Sequence, residues 1–264
     1  MSKLSTKTAL RDIAQSFRTI DMAAFLAWDD IRERYVRTFL GPLWIVLSTG
    51  IWFAVMGFVM GNIFEQKLAD YLPYLVCGLV IWLLISSCIS EGSMVLLVAK
   101  RLIVSYHLPI FTNFLRFIIR NQIIFLHNVV ILAIVLLIFP QPLNGATWLV
   151  ILGIALNTII LTSGAVLLSL ANIRYRDTQM VITNALQVLP YVTPIFWHRE
   201  MLKNHMWVAD WNPVYHMIEI MRAPLLGNSP SDLSWMVTVG LAVVLPLIAA
   251  ISFINFRHRI IFWI

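Results

Sequence analysis

The chain alternates between long apolar runs and short polar connectors. Six runs approach the roughly 20 residues that an α-helix needs to cross the hydrocarbon core of a bilayer. They are residues 42–61, 71–90, 117–139, 148–170, 181–197 and 235–256. The fifth is short and carries Pro190 and Pro194. Proline leaves a helix carbonyl without its amide donor, so a kink or an early end is expected there.

Two further stretches have helical patterning without the length to span. Phe25, Trp28, Ile31 and Tyr35 recur at spacings of three, three and four, opposite Asp29, Asp30, Glu33 and Arg37. Residues 19–37 are therefore expected to form an amphipathic helix, either lying in the membrane interface or packed on cytoplasmic loops. Between the fifth and sixth runs, residues 197–234 are longer than a simple connector. Asn212-Pro213 is a helix start, with Asn as N-cap and Pro at the first helical position. Val214, Met217, Ile218 and Met221 follow at helical spacing. The expected fold is an all-α polytopic membrane protein. It has six transmembrane helices, an N-terminal amphipathic interface helix and re-entrant extracytoplasmic helices between helices five and six. An N-terminal cytoplasmic part, residues 1–41, precedes a membrane domain, residues 42–264.

Composition agrees with that reading. Hydrophobic residues make up 60% of the 264 and charged residues 12%, and the mean hydropathy is +0.83. Soluble domains are about 45–50% apolar and about 25% charged. No cleavable signal peptide is expected. Lys3, Lys7, Arg11, Asp12, Arg18, Asp21, Asp29 and Asp30 leave no short apolar core near the start. The net charge of +6 follows topology. Of the Lys and Arg flanking the six runs, fifteen fall on one side and four (Lys67, Arg199, Lys203 and Arg222) on the other. The positive-inside rule makes the first side cytoplasmic and puts both termini there. Cys77 and Cys88 share one run, about 16 Å apart along a helix axis, too far for a disulfide. They read as small buried hydrophobes.

Catalytic chemistry is sparse. There is no phosphate loop of the form G-x-x-x-x-G-K-[ST], no H-E-x-x-H, no C-x-x-C and no cluster at metal-ligand spacing. No acidic group falls at mid-membrane. Glu91, at the end of the second run, is expected to pair with a nearby Lys or Arg, and His127 to serve helix packing by a hydrogen bond. Asp29-Asp30 is the one candidate carboxylate pair for an enzyme, and its place on a polar helix face suits solvated acids. Most aromatics, including Trp44, Tyr71, Tyr74, Trp148, Trp197 and Trp235, sit where an interfacial belt places them. Trp52 and Trp82 lie deeper.

Four motifs carry a resemblance. Arg34-Tyr35-Val36-Arg37-Thr38-Phe39-Leu40-Gly41-Pro42-Leu43-Trp44 resembles the R-Y-x-x-S/T-x-L-G-x-x-W signature that opens helix one in type-2 ABC transporter permeases. More narrowly it resembles the branch that exports O-antigen, capsule and teichoic acid. The stretch from Ala171 to Asp177, that from Thr193 to Trp197 and that from Trp211 to His216 resemble, in order, that branch's loop after helix four, its helix-five end and the start of its outer re-entrant helix.

The resemblance implies a non-catalytic permease subunit exporting a lipid-linked polysaccharide, most simply of O-antigen type, across the bacterial inner membrane. A homodimer of such a chain pairs with two copies of an ABC ATPase, which binds the ATP and Mg. This chain itself is expected to hold no cofactor and no metal. Residues 98–109, with Lys100, Arg101, Tyr106 and His107, and the loop Arg174, Tyr175, Arg176 and Asp177 would dock the ATPase. Arg32, Arg34 and Arg37 would attract the pyrophosphate of a polyprenyl-linked glycan. Trp52, Trp82, Tyr191 and Phe196 are candidates for a sugar-lined channel. Asn212, Pro213, Val214, Met217 and Ile218 are candidates for an outer gate. The rival readings are a type-2 permease for a drug or small lipid, and a membrane-embedded glycosyltransferase or acyltransferase.

Overall fold

The computed structural model describes residues 3–36, 38, 39, 41, 43–106, 108–142 and 144–264, with the backbone alone for residues 3–6 and 106. In chain order the helices are α1 (Lys3–Arg18), α2 (Ile20–Tyr35), α3 (Leu43–Ile63), α4 (Leu68–Gly92), α5 (Val95–Val98) and α6 (Lys100–Tyr106). There follow α7 (Thr112–Ile138), α8 (Leu149–Arg174), α9 (Thr178–Val192), α10 (Trp207–Asp210), α11 (Pro213–Leu225) and α12 (Asp232–Trp263), with a 3-10 turn over Arg199–His205 before α10. Among the described residues there is no strand. An apolar solvent leaves every backbone amide and carbonyl to find its partner inside the protein, and helices solve that locally.

Five helices are long and apolar enough to cross a membrane: α3, α4, α7, α8 and α12. The segment expected as the fifth crossing, residues 181–197, is different. Its helix, α9, has 15 residues and ends at Val192. That is about 22 Å, short of a hydrocarbon core of about 30 Å. Pro190 is accommodated within it, and the chain leaves helical geometry at Thr193, just before Pro194. The first turn of α9 meets the end of α4, where Ser93 Oγ donates to Gln179 Oε1. The residues after α9 meet the start of α4. So α9 runs antiparallel to α4, and residues 193–197 carry the chain on in irregular form to the start of α4.

α4 is the axis of the bundle. In its most apolar stretch 72% of residues are buried, against 11% for α3, which lies on the outside. Polar side chains clip α4, α7, α8 and α11 together. Ser87 donates to Asn121 at 3.0 Å, Gln122 to Thr158 at 2.9 Å and Asn157 to the carbonyl of Met217 at 2.9 Å. Such pairs hold helices where the hydrophobic effect contributes little. Gly92 lets α4 touch α8, since a Cβ there would lie 2.8 Å from that of Ala165. Cys77 and Cys88 are free and buried, as their spacing requires. His127 Nδ1 donates to the carbonyl of Ile123 at 2.8 Å, a bond within its own helix.

The N-terminal helices differ from the sequence pattern in a specific way. α2 buries Ala23, Ala27 and Ile31 against α7, leaving Phe25 and Trp28 exposed. The small residues, not the aromatics, face the protein. α1 was not foreshadowed at all. Its most buried residues are Ala9, Asp12 and Ser16, and of the apolar stripe beside them, Leu10, Ile13 and Phe17, Leu10 and Phe17 stay exposed.

Asp12 is nearly inaccessible and serves three elements at once. Its carboxylate accepts the amides of Ile110 (3.1 Å) and Phe111 (3.0 Å) just ahead of α7. It also accepts Arg257 Nη2 of α12 at 2.6 Å. Removing it strands two amides and a partly buried guanidinium. Asp12→Ala is expected to lower folding stability by about 3 kcal/mol, towards the lower end for a broken buried pair because Arg257 keeps some solvent. Asp12→Asn, which keeps an acceptor, should lose less. An unchanged thermal midpoint in detergent for the alanine variant would contradict this.

Candidate functional site

The two ends of the bundle carry different chemistry. At the end where α4 finishes and α7 begins, charges from three helices converge. Arg116 and Arg120 lie four residues apart on one face of α7. Arg116 Nε donates to Asp30 Oδ2 at 2.8 Å, and its second nitrogen donates to Asp30 Oδ1. Arg120 bridges Asp30 Oδ2 (3.3 Å) and Glu91 Oε2 (2.7 Å). Arg34 approaches Glu91 at 3.6 Å. Glu91 is thus paired as the sequence suggests, whereas Asp30 is not the solvated acid expected of it. It is the anchor that fixes α2 to α7.

These side chains border a cavity of about 340 Å³ between α2, α4, α7 and α9. Three arginines face two carboxylates there, and Arg120 Nε has no partner among the described residues. The surplus positive charge and free donor suit an anion. Of the three arginines singled out in the sequence, Arg34 borders this cavity, Arg32 is exposed and does not line it, and Arg37 lies outside the described residues.

The two expected docking segments emerge at this same end. α5 is held to α8 by the Leu96 amide donating to Ser169 Oγ at 3.0 Å. Asn172 of α8 donates to the carbonyl of Ser93 at 3.1 Å. α6 follows α5 directly and exposes Lys100 and Arg101. The turn after α8 exposes Tyr175, Arg176 and Asp177, and Arg174 stacks on the rings of Tyr175 and Trp263. His107 and the side chain of Tyr106 lie outside the described residues.

At the opposite end the broken segment after α9 is bound by side chains. Tyr71 Oη donates to the carbonyl of Phe196 at 2.7 Å. Tyr74 Oη reaches the carbonyls of Pro194 (3.2 Å) and Trp197 (3.0 Å). Arg222 of α11 donates to the Pro194 carbonyl at 2.7 Å, pairs with Glu219 at 2.6 Å and lies 4.1 Å from the centre of the Tyr74 ring. Sequence reasoning placed the two tyrosines in an interfacial belt and Arg222 among ordinary outer charges; all three are buried. The signal lay in Pro194, because freed carbonyls in an apolar setting call for donors; Tyr71, Tyr74 and Arg222 supply them, and Trp197 Nε1 adds one to the carbonyl of Tyr191 at 3.1 Å.

α11 begins at Pro213 as the sequence indicates. Asn212 Oδ1 accepts the amide of Val214 at 3.0 Å, and its Nδ2 donates to Thr193 at 2.8 Å. Val214, Met217 and Ile218 are all buried among neighbouring helices. The candidate channel aromatics divide. Trp52 and Tyr191 are 41% and 69% exposed, whereas Trp82 and Phe196 are core residues at 7% and 8%. Beyond the break, Arg199 and Asp210 form a two-pronged pair at 2.8 Å. That pairing holds the Asp210 carboxyl below the usual range. His198 stacks on Tyr74 with centroids 3.8 Å apart, and burial, followed by the Arg222 charge, lowers its pKa. Among the described residues no cluster of His, Cys, Asp and Glu has the arrangement of a metal site.

Comparison with known proteins places this geometry. Residues 23–226 match the ABC-2 type transporter family. Two Klebsiella pneumoniae relatives, each named O-antigen export system permease protein RfbA, are 22% and 21% identical over 201 residues, covering 75% of this chain and 77% of theirs. A Myxococcus xanthus protein of the same name is 20% identical over 191 residues, 71% of this chain and 72% of its own.

Two predictions follow from the bound break. Tyr71→Phe leaves the Phe196 carbonyl without this donor in an apolar setting, a loss of about 1–3 kcal/mol. It should lower the thermal midpoint in detergent, and a wild-type midpoint would count against the arrangement. The second concerns pH. A folded-state histidine pKa below the unfolded value means that protonation opposes the fold. The contribution of His198 is therefore complete above about pH 6.5 and is lost as pH falls below that. The protection of amides in residues 193–200, with the intrinsic pH dependence of exchange divided out, should fall between pH 6.5 and 5, and His198→Gln should abolish that fall. An equal fall in the variant would refute it.

Proposed function

We propose that this chain, which belongs to the ABC-2 type transporter family, is the permease subunit of a bacterial exporter that moves an O-antigen-type polysaccharide on its polyprenyl-pyrophosphate carrier across the inner membrane. The match across residues 23–226, with relatives named as O-antigen export permeases, carries this reading. The chain is a multi-pass membrane protein. In this reading it crosses six times with both termini in the cytoplasm, α9 and residues 193–197 together making the fifth crossing.

The geometry supports a division of roles. The cavity bordered by Arg34 and Arg120 faces the cytoplasm and receives the pyrophosphate, its surplus charge complementing the anion. α3 exposes Leu47, Ile51, Trp52 and Val55. A second copy completes the passage against that face, with Trp52 and Tyr191 offering rings on which sugars slide. A passage for a polymer needs weak, repeated contacts of this kind. α10, α11 and the bound break close the outer end. Lys100 and Arg101, with Arg176 and Asp177, meet the ATPase subunits, two per pair of permeases, which bind ATP and Mg.

The test is reconstitution. The permease should co-purify with an ABC ATPase subunit. ATP hydrolysis in proteoliposomes should rise when polyprenyl-pyrophosphate-linked glycan is added. Stimulation by small amphiphilic drugs but not by lipid-linked glycan would overturn the substrate class. Lys100→Glu with Arg101→Glu should release the ATPase while the permease still inserts; an intact complex would contradict the docking surface.

A further inference from the structure

Arg174 and Arg259 are among the arginines at the basic end that have no acidic partner among the described residues. Arg257 is neutralised by Asp12. Arg259, two residues on, and Arg174, at the end of α8, form no ion pair among the described residues. Arg174 instead rests its guanidinium 5.4 Å from the centre of the Trp263 ring and 5.7 Å from that of Tyr175.

Both arginines border one cleft of about 390 Å³ between the ends of α8 and α12. Its walls are Leu167, Leu170 and Ala171 on α8, and Phe256 and Trp263 on α12, whose rings lie 5.6 Å apart. Ser252 adds a hydroxyl. On α12, Ile248, Ser252, Phe256, Arg259 and Trp263 follow one another at intervals of three and four, so they share a face. That face continues from the cleft towards the middle of the bundle, where Leu247, Ile248 and Ile251 are exposed.

The cleft thus has an apolar floor, an aromatic wall, two unneutralised guanidinium groups at its rim and an apolar track leading away from it along a spanning helix. A soluble anion would use the rim and leave the floor wet. An acyl chain alone would leave the charges unused. An anionic phospholipid matches every part, with phosphate between the arginines, glycerol at Ser252 and an acyl chain along α12. Basic clefts between spanning helices on the cytoplasmic side suit such headgroups.

We propose that this cleft is a binding site for an anionic phospholipid of the surrounding leaflet, with Arg174 and Arg259 as its phosphate ligands. The site is separate from the Arg34–Arg120 cavity and does not depend on what the transporter carries. Arg174 is thereby assigned to lipid and not to the ATPase.

Delipidated full-length permease, titrated with phosphatidylglycerol and observed by native mass spectrometry, should take up one lipid per chain at concentrations where phosphatidylcholine gives none. Replacing Arg174 and Arg259 together by Ala should weaken that uptake roughly 30-fold, from about 1 kcal/mol per basic side chain. Replacing both by Lys should restore most of it. On the unaltered chain, photoactivatable phosphatidylglycerol should cross-link within residues 252–263, a readout that holds even if the alanine variant misfolds. Equal uptake of phosphatidylcholine, competition by millimolar inorganic phosphate, or cross-links confined to other helices would overturn the proposal. So would an alanine variant that keeps the lipid but loses the ATPase, since the cleft would then be part of the docking surface.

Discussion

A membrane protein that interrupts a helix must supply hydrogen bonds to the carbonyls it frees, because lipid supplies none. Here that constraint falls on residues 193–197, and it organises one end of the molecule. Tyr71 and Tyr74 of α4 and Arg222 of α11 satisfy three successive sites on the broken backbone. Those donors must be buried, so α4 becomes the most enclosed helix and α11 is drawn into the core. A buried guanidinium needs a counter-charge, which Glu219 provides. His216 then ties α11 to α10 through the carbonyl of Asp210 and to α12 through Ser234. One discontinuity in α9 accounts for the placement of four other helices.

The opposite end solves a different problem with the same means. Charged residues gather where α2, α4 and α7 meet, and each carboxylate has at least one guanidinium within reach. Asp12 does likewise for α1, α7 and α12. These contacts join segments far apart in sequence, so the helices outside the spans are secured by electrostatics and hydrogen bonds. The small apolar faces of α1 and α2 contribute less. The permease therefore has a polar lock at each end, with a few polar clips through the apolar layer between them.

Five of the six expected spans and the family were legible in the sequence because both rest on strong, local signals: runs of about 20 apolar residues and four ordered motifs. Asn212-Pro213 was legible for the same reason, since an N-cap is a local device. What could not be read was pairing at a distance. Tyr71 and Phe196 lie 125 residues apart, Asp12 and Arg257 lie 245 apart, and nothing in the local pattern of either distinguishes it from a belt aromatic or a surface charge. α1 carries an apolar stripe, Leu10, Ile13 and Phe17, yet packs through Ala9, Asp12 and Ser16, whose partners lie far along the chain. On α2, Phe25 and Trp28 stay exposed, as the interface alternative requires, while Ala23, Ala27 and Ile31 make the close approach to α7.

The uneven burial of the bundle has a mechanical consequence. α3 buries only Phe53, Gly57 and Gly61 fully and rests Val46, Met56 and Met60 against the core, while α2, just before it, is clamped by Asp30. The junction between the two passes through Gly41, whose φ of +55° is one that residues with a Cβ rarely adopt. A loosely held wall joined to a fixed brace at a glycine is a compliant leaf on a rigid frame. In the pairing proposed above, what packs on its outer face would set its stiffness, so the width of the space beside it would belong to the pair more than to the single subunit.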